Sequence, residues 1–360
     1  MKHRLISIAS ITILLFMVLG NCIGCSPTTP TTTYTLTTNS TAGGGVTTPG
    51  ESTYTYNASQ VVNLVATADS GYRFVNWTGN VSTIANVTAA STTITMNGNY
   101  TITANFALGV LIANVPDANQ PPTSGSPNYC APMAMINVLE YWDIVKGLPN
   151  ATNVTAGLLD KTAADYLGWF MDTNNAGSSL RANAGQPGTL DVDIAPGTVD
   201  FVRWDATHLF AAPPPPAPAL PAGKLGYDWT VTFDHAGGFN FYKTEIDAGR
   251  PLVVSFAYWN PVSVGINVTD PETGATIDVF DWGVPKTGST SPNPDEAWVY
   301  YDIGHAVTGV GYILNWDPDG SGPLPSDNYV IVHDNWATTP TNIAIPWGHW
   351  NSSDAVLPGP

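Results

Sequence analysis

Cys130 is the residue of this sequence whose type and position best suit covalent chemistry. It stands in the run Asn128-Tyr129-Cys130-Ala131-Pro132-Met133, where an apolar pattern with helical spacing begins. The other two cysteines, Cys22 and Cys25, lie close to the N-terminus. A helix N-terminus favours a thiolate, and the thiolate is the nucleophilic form of cysteine. Acyl transfer through such a thiol also needs a base, a group that orients the base, and donors for the oxyanion.

Among the six histidines, His305 is the one best placed to act as that base. It opens the apolar, glycine-punctuated run Gly304-His305-Ala306-Val307, which predicts a strand. Asp334 follows the next predicted strand, Tyr329–Val332. If the two strands pair antiparallel, Asp334 lies beside His305 and can fix its tautomer. His333 faces the opposite side of its strand from Asp334, so only one of them can point at the site.

Each of these residues also has an ordinary structural interpretation. A lone cysteine at such a position is often a small buried hydrophobe. His305 can equally be a hydrogen-bonded core histidine, and Asp334 a turn residue beside Asn335. The remaining histidines His208, His235 and His349 show no ligand spacing, so we interpret them as structural or surface groups.

The elements that must position these residues are helices followed by strands. Apolar spacing predicts helices over Cys130–Trp142, Val154–Met171, Thr198–Leu209 and Phe239–Ala248. Strands are predicted over Leu252–Phe256, Ala306–Leu314 and Tyr329–Val332. Helices first and strands later indicate an α+β domain.

The N-terminal part of the chain shows a different pattern of short alternating strands. We predict four of them, over Tyr34–Thr38, Val61–Ala68, Thr92–Met96 and Tyr100–Phe106. The run Gly71-Tyr72-Arg73-Phe74-Val75-Asn76-Trp77 and the closing strand from Tyr100 resemble the internalin-type repeat of bacterial surface proteins. That resemblance implies a small β-rich module used as a spacer or an adhesive stalk.

The C-terminal part resembles the C39-like, papain-fold cysteine peptidases. The resemblance rests on four motifs in order and covers residues from about 115 to 336. They are Cys130-Ala131-Pro132-Met133, Ile246-Asp247-Ala248-Gly249-Arg250-Pro251, Gly304-His305-Ala306-Val307 and His333-Asp334-Asn335-Trp336. It implies a helical half packed on an antiparallel sheet, with Cys130 as nucleophile, His305 as base and Asp334 as the orienting group.

The same resemblance implies a glutamine upstream of the cysteine as oxyanion donor. Gln120 is the candidate, but it lies ten positions before Cys130, with three prolines between them. The intervening loop has to bulge for Gln120 to reach the site. Asn128 is the alternative donor, and the Cys130 main-chain N–H is the second donor in either case.

The first 25 residues predict export. A basic start precedes an apolar run from Leu5 to Leu19, which is shorter than a membrane-spanning helix needs. Gly24-Cys25-Ser26 is similar to a lipoprotein cleavage site, with Cys25 as the lipidated residue; a plain signal peptide or an uncleaved anchor are the alternatives. We therefore predict a signal over 1–25, a linker over 26–33, the repeat over 34–107 and the peptidase-like domain over 108–360.

Composition limits the partners of the chain. The formal net charge of −17 argues against nucleic acid or an anionic membrane as a partner. Asp317, Asp319 and Ser321 alternate like the start of a calcium loop, but the glycine is misplaced and a plain turn is the alternative. We expect no cofactor.

The sequence as a whole predicts an exported protein attached to the cell envelope through its N-terminus. We expect a monomer that acts on a peptide or protein substrate. One alternative is a catalytically silent relative that serves in binding or adhesion. The other is an amidase or acyltransferase that uses the same three residues on a non-protein substrate.

Overall fold

The computed structural model describes residues 31–122, 124–125, 128–147, 154–155, 160–175, 187–207, 219–235, 238–270, 272–283, 304–314, 316, 318 and 328–358. Two packed regions follow each other along these residues: a β-rich N-terminal region and a larger α+β region that begins near residue 110.

The N-terminal region is built from two small sheets. One has the strand order β3-β1-β7-β5 and the other β2-β4-β6. The four predicted strands are confirmed, but β2, β3 and β5 were not predicted. Their inner faces enclose a core that includes Leu36, Leu64, Trp77 and Ile94. The strands are β1 (Thr33–Ser40), β2 (Gly44–Thr48), β3 (Thr53–Asn57), β4 (Val61–Ala68), β5 (Tyr72–Gly79), β6 (Ser91–Thr95) and β7 (Tyr100–Leu108).

This region is docked directly on the larger one. Strand β8 (Val110–Leu111) follows β7 at once and pairs with the long central strand β13 (His305–Ile313) of the second region. Arg73 forms an ion pair with Glu272 at 2.5 Å, and the turn at Gly71 lies against the ring of Trp316. The two regions therefore share a continuous apolar contact rather than a free linker.

One large sheet carries the second region. Its strand order is β11-β12-β15-β14-β13-β10-β16-β9, with β8 paired to β13. All neighbours run antiparallel except β12 and β15. The remaining strands are β9 (Thr230–Asp234), β10 (Leu252–Phe256), β11 (Pro261–Thr269), β12 (Thr276–Trp282), β14 (Tyr329–His333), β15 (Ile343–Pro346) and β16 (Trp350–Leu357).

The three predicted strands of this region correspond to β10, β13 and β14, so these predictions are confirmed. The antiparallel pairing expected between the last two is also present, with Thr308 opposite His333. Strands β9, β11, β12, β15 and β16 were not predicted. The mixture of helices and sheets confirms the α+β class.

Among the described residues, four α-helices precede or interrupt this sheet. They are α1 (Cys130–Glu140), α2 (Asp160–Phe170), α3 (Asp191–Arg203) and α4 (Phe239–Asp247). Helix α1 packs on β13 and β10, and its apolar residues are buried in the main core. It continues into a single π-helical turn, Tyr141–Val145. Within the described part of the chain, no helix is both long and apolar enough to cross a bilayer.

Three helix boundaries differ from the prediction by more than two residues: the start of α2, and both the start and the end of α3, which ends at Arg203 and not at the predicted Leu209. Helix α2 begins at Asp160, and Val154 and Thr155 before it are not helical. Helix α3 begins seven residues before the predicted Thr198, although Pro196 lies inside it. Asp191 and Asp193 occupy its first turn, where carboxylates complement the helix dipole.

Candidate active site

Cys130 is the first residue of α1, and its side chain meets the start of β13. The main-chain N–H groups of Ala306, Ala131 and Cys130 itself face the sulfur and favour the thiolate. Cys130 is half-buried as a residue, and the burial of its thiol group outweighs these contacts and raises the pKa of the Cys130 thiol above its ordinary value. The sulfur thus lies beside Ala306, the residue that follows His305 in the sequence.

His305 begins β13 and is held by one main-chain contact. Its Nε2 lies 2.8 Å from the main-chain carbonyl oxygen of Asp334. Because a carbonyl oxygen only accepts, Nε2 carries the proton and Nδ1 is the nitrogen that can receive one. Burial lowers the pKa of His305 to about 4, and the Asp334 carbonyl opposes this only in part. The ring is fixed in one tautomer and is neutral at physiological pH.

Two tryptophan rings flank the His305 imidazole. Trp336 stacks on it at a centroid distance of 5.7 Å and an interplanar angle of 20°, and Trp259 lies at 5.1 Å on a tilted plane. These rings exclude water from the imidazole, which is the physical cause of its low pKa.

Asp334 meets His305 through its main chain and not through its carboxylate. The carboxylate Oδ1 accepts a hydrogen bond from the Trp336 N–H at 3.1 Å and from the Thr339 hydroxyl at 2.5 Å. Its Oδ2 is buried and has no partner in the described residues. Burial, with the nearby charge of Asp117, raises the pKa of Asp334 to about 7. The orienting contact expected of Asp334 is thus made by its carbonyl group.

Gln120 lies next to the start of α1. Its Oε1 accepts a hydrogen bond at 3.1 Å from the N–H of Tyr129, the residue before Cys130. Its main-chain N–H donates to the carbonyl of Asn335 at 2.8 Å. The side-chain Nε2 is buried without a partner among the described residues, so this amide keeps an unused hydrogen-bond donor close to Tyr129, the residue before Cys130. Asn128, the alternative donor, is exposed and has a left-handed φ of 60°.

Other residues singled out in the sequence lie elsewhere. Cys25, Asp317, Asp319, Ser321 and His208 fall outside the described residues. His333 is buried, with Nδ1 3.0 Å from the Pro116 carbonyl oxygen and Nε2 3.2 Å from Asn342 Oδ1. No group of three His, Cys, Asp or Glu side chains with metal-binding geometry occurs in the described part of the chain.

The sequence interpretation missed a buried amide network behind the site. Asn137 on α1 and Asn335 after β14 are both fully buried, and the Asn137 Nδ2 donates to the Asn335 Oδ1 at 3.1 Å. Asn137 also donates to the Thr308 hydroxyl at 3.0 Å. The only signal in the sequence is a polar residue inside the apolar face of a helix, since the two asparagines are 198 positions apart.

Residues 34–109 match the family model of the divergent InlB B-repeat domain. The surface-repeat resemblance of the N-terminal region is therefore confirmed. No curated protein matches the chain.

Among solved structures, the chain is similar to the crystal structure of a candidate C39-like peptidase from Bacillus anthracis. The identity is 12%, the match covers 70% of this chain and 99% of the other, and the TM-score is 0.35. A likeness at this TM-score carries no weight for the function of this chain, which has to be inferred from the side-chain geometry.

Proposed function

We propose that this chain is a bacterial surface protein whose C-terminal region hydrolyses peptide or amide bonds through Cys130. The observation that carries the proposal is the contact between the start of helix α1, which carries Cys130, and the start of strand β13, which carries His305. The Cys130 sulfur lies against the main chain of Ala306, while His305 directs its bonded Nε2 toward Asp334 and keeps Nδ1 as an acceptor. A thiol and a tautomer-fixed imidazole at one strand end can carry out nucleophilic catalysis.

In this mechanism the Cys130 sulfur attacks the carbonyl carbon of the scissile bond while His305 Nδ1 takes the thiol proton. The carbonyl oxygen becomes an oxyanion, and Gln120 Nε2 and the Cys130 main-chain N–H donate to it. His305 then returns the proton to the leaving amine, and a thioester remains on Cys130. Water, deprotonated by His305, attacks the thioester and releases the acid, which restores the thiol.

Three further features support this proposal. The site sits where a helix start meets the first residue of a central sheet strand, as the C39-like, papain-fold resemblance implies. The internalin-type repeat supports a location at the cell surface. We include export and an N-terminal anchor, with lipidation of Cys25 as one form of it, because the first 25 residues have the pattern of an export signal.

A second candidate function is a silent relative that binds peptides without cleaving them. The raised pKa of Cys130 and the burial of His305 favour it, because both disfavour a preformed thiolate. The third candidate is transfer of the acyl group to an amine instead of water, which the same thioester permits.

The test is a digest of a complex peptide mixture by the full chain, with new termini identified by mass spectrometry. We expect new N-termini that disappear in Cys130→Ala and in His305→Ala but persist in the histidine control His235→Ala. His235 makes no contact with Cys130 or Gln120 in the described residues.

Adding hydroxylamine to the same mixture distinguishes hydrolysis from transfer, since a transferase forms hydroxamates in preference to free acids. Absence of new termini, together with binding of the mixture to Cys130→Ala and to wild type alike, would establish the silent function instead.

A further inference from the structure

Asn335 touches the elements of all three candidate catalytic groups. It follows β14 between Asp334, which binds His305, and Trp336, which stacks on His305. Asn335 is fully buried and has a left-handed φ of 65°, a conformation that asparagine tolerates better than most residues. A buried amide in this backbone conformation indicates a specific polar role.

The side chain of Asn335 joins the cysteine helix to the histidine strand. Its Nδ2 donates to the main-chain carbonyl of Ala306 at 3.1 Å and more weakly to that of Cys130 at 3.4 Å. Its Oδ1 accepts from Asn137 at 3.1 Å. Both amide hydrogens and the amide oxygen are therefore used, and the two carbonyls belong to the nucleophile and to the neighbour of the base.

The main chain of Asn335 contacts the third segment, the one that carries Gln120. Its carbonyl accepts the N–H of Gln120 at 2.8 Å, and the Gln120 side chain in turn contacts the residue before α1. A single residue thus bonds to the segments that carry the nucleophile, the base and the oxyanion donor.

The network behind Asn335 is rigid because each of its amide groups is also partnered. Asn137 Oδ1 accepts the Ala118 N–H at 2.8 Å, and the Thr308 hydroxyl donates to the Ala134 carbonyl at 3.2 Å. In a buried site, a lost partner leaves a desolvated polar group, which is unfavourable. The native arrangement is therefore strongly preferred over a shifted one.

We propose that Asn335 is a positioning residue that holds the Cys130 helix, the His305 strand and the Gln120 loop in one register. Its effect on turnover rests on the proposed hydrolase function, whereas its effect on the geometry of His305 does not. It touches no reacting atom and acts through the main chain of residues that do.

The experiment compares Asn335→Ala and Asn335→Asp with wild type in the full chain. We expect kcat to fall by about 10- to 100-fold, since small misplacements of catalytic groups cost about that much. KM should change less than about threefold, because substrate contacts are untouched. Asn342→Ala is the matched control, since Asn342 bonds to His333 and Thr276 and to none of the three groups.

A second readout does not depend on activity. In ¹⁵N-histidine NMR of the wild type, His305 should show one neutral tautomer with the proton on Nε2. We expect both tautomers, or a shifted His305 signal, in the Asn335 variants, and a change at His333 alone in Asn342→Ala. An inactive wild type would reject the proposed hydrolase, while the NMR comparison would still test the positioning.

Three results would overturn the proposal: unchanged His305 signals in Asn335→Ala, a loss of activity confined to KM, or equal effects in Asn342→Ala. If the Asn335 variants do not fold, Thr308→Val is the milder probe, because it removes only the hydroxyl that supports Asn137. A His305 signal and kcat identical to wild type in folded Thr308→Val would then count against the network.

Discussion

We expect Cys130 and His305 to rest as an uncharged thiol and an uncharged imidazole, and not as an ion pair. Burial raises the pKa of the thiol above its ordinary 9.0 and lowers that of His305 to about 4. The proton therefore stays on sulfur in the free protein. Changing the pH, and removing the imidazole in His305→Ala, are the perturbations that test this.

The size of the effect follows from the two pKa values. They differ by more than about 5, so moving the proton from sulfur to imidazole costs about 7 kcal/mol at 1.36 kcal/mol for each pKa unit. For charges that approach to about 4 Å, in a medium of effective dielectric constant about 20, the mutual attraction would return about 4 kcal/mol. The remaining cost of about 3 kcal/mol leaves the ion pair below about 1% of the molecules.

The assay is the rate of alkylation of Cys130 by iodoacetamide between pH 5 and 9, followed by mass spectrometry of the Cys130 peptide. The thiolate is the reacting form, so the rate should rise about tenfold for each pH unit without a plateau. His305→Ala should change the rate below pH 8 by less than about threefold. A short peptide of the same sequence is the control and should react faster at pH 8.

A plateau in the alkylation rate between pH 5 and 7 that disappears in His305→Ala would refute the reasoning. It would mean that the ion pair is the resting form and that the mutual attraction of the charges exceeds the cost of burying them.

Three further predictions concern the oxyanion donor Gln120, the buried acid Asp354 and the docking of the N-terminal repeat on the second region. Gln120→Ala should lower kcat on a cleaved peptide by about 10²–10³-fold, as loss of an oxyanion donor does; an unchanged kcat would assign the donor elsewhere. Asp354 is fully buried, both its carboxylate oxygens lack partners among the described residues, and burial raises its pKa well above 3.8. A protein with such a carboxyl loses stability as the pH rises above the unfolded-state value near 3.8 and through the raised folded-state pKa, so the stability of Asp354→Asn relative to wild type should increase as the pH rises above 3.8 in thermal unfolding; a constant difference would contradict this. Gly71→Ala would place a Cβ 2.4 Å from the Trp316 ring and should lower the free energy of unfolding by about 1–3 kcal/mol more than the control Gly147→Ala, which also has positive φ but open space; equal losses in denaturant titrations would argue against tight docking.

The elements that sequence reasoning found are those whose own pattern is strong. Strands β10, β13 and β14 are continuous buried apolar runs, and α1 has apolar residues at helical spacing. Strand β16 was missed because Ser352, Ser353 and Asp354 at its centre are polar. It lies between β9 and β10, so its conformation is set by pairing on both sides and not by local preference.

The candidate site likewise contains some residues that the sequence identifies and others that only the structure reveals. The residue types of Cys130, His305 and Gln120, together with their neighbours in the sequence, identify them as candidate site residues. Asn335 reads as a turn residue and Asn137 as an interruption of an apolar face, and their roles exist only through contacts across the fold. Such long-range contacts leave no local pattern in one sequence.

The contact between His305 and Asp334 links the tautomer and the pKa of the imidazole. A carboxylate at Nε2 would fix the tautomer and also stabilise the imidazolium, which would raise the pKa of His305. The carbonyl fixes the tautomer while carrying no net charge, so burial by Trp259 and Trp336 prevails and the pKa falls to about 4. In the proposed mechanism, the imidazolium formed during attack would therefore gain its main electrostatic support from the oxyanion that forms in the same step. Because the two charges arise together, the geometry that joins Gln120, Cys130 and His305 matters more here than in a site with a resting ion pair.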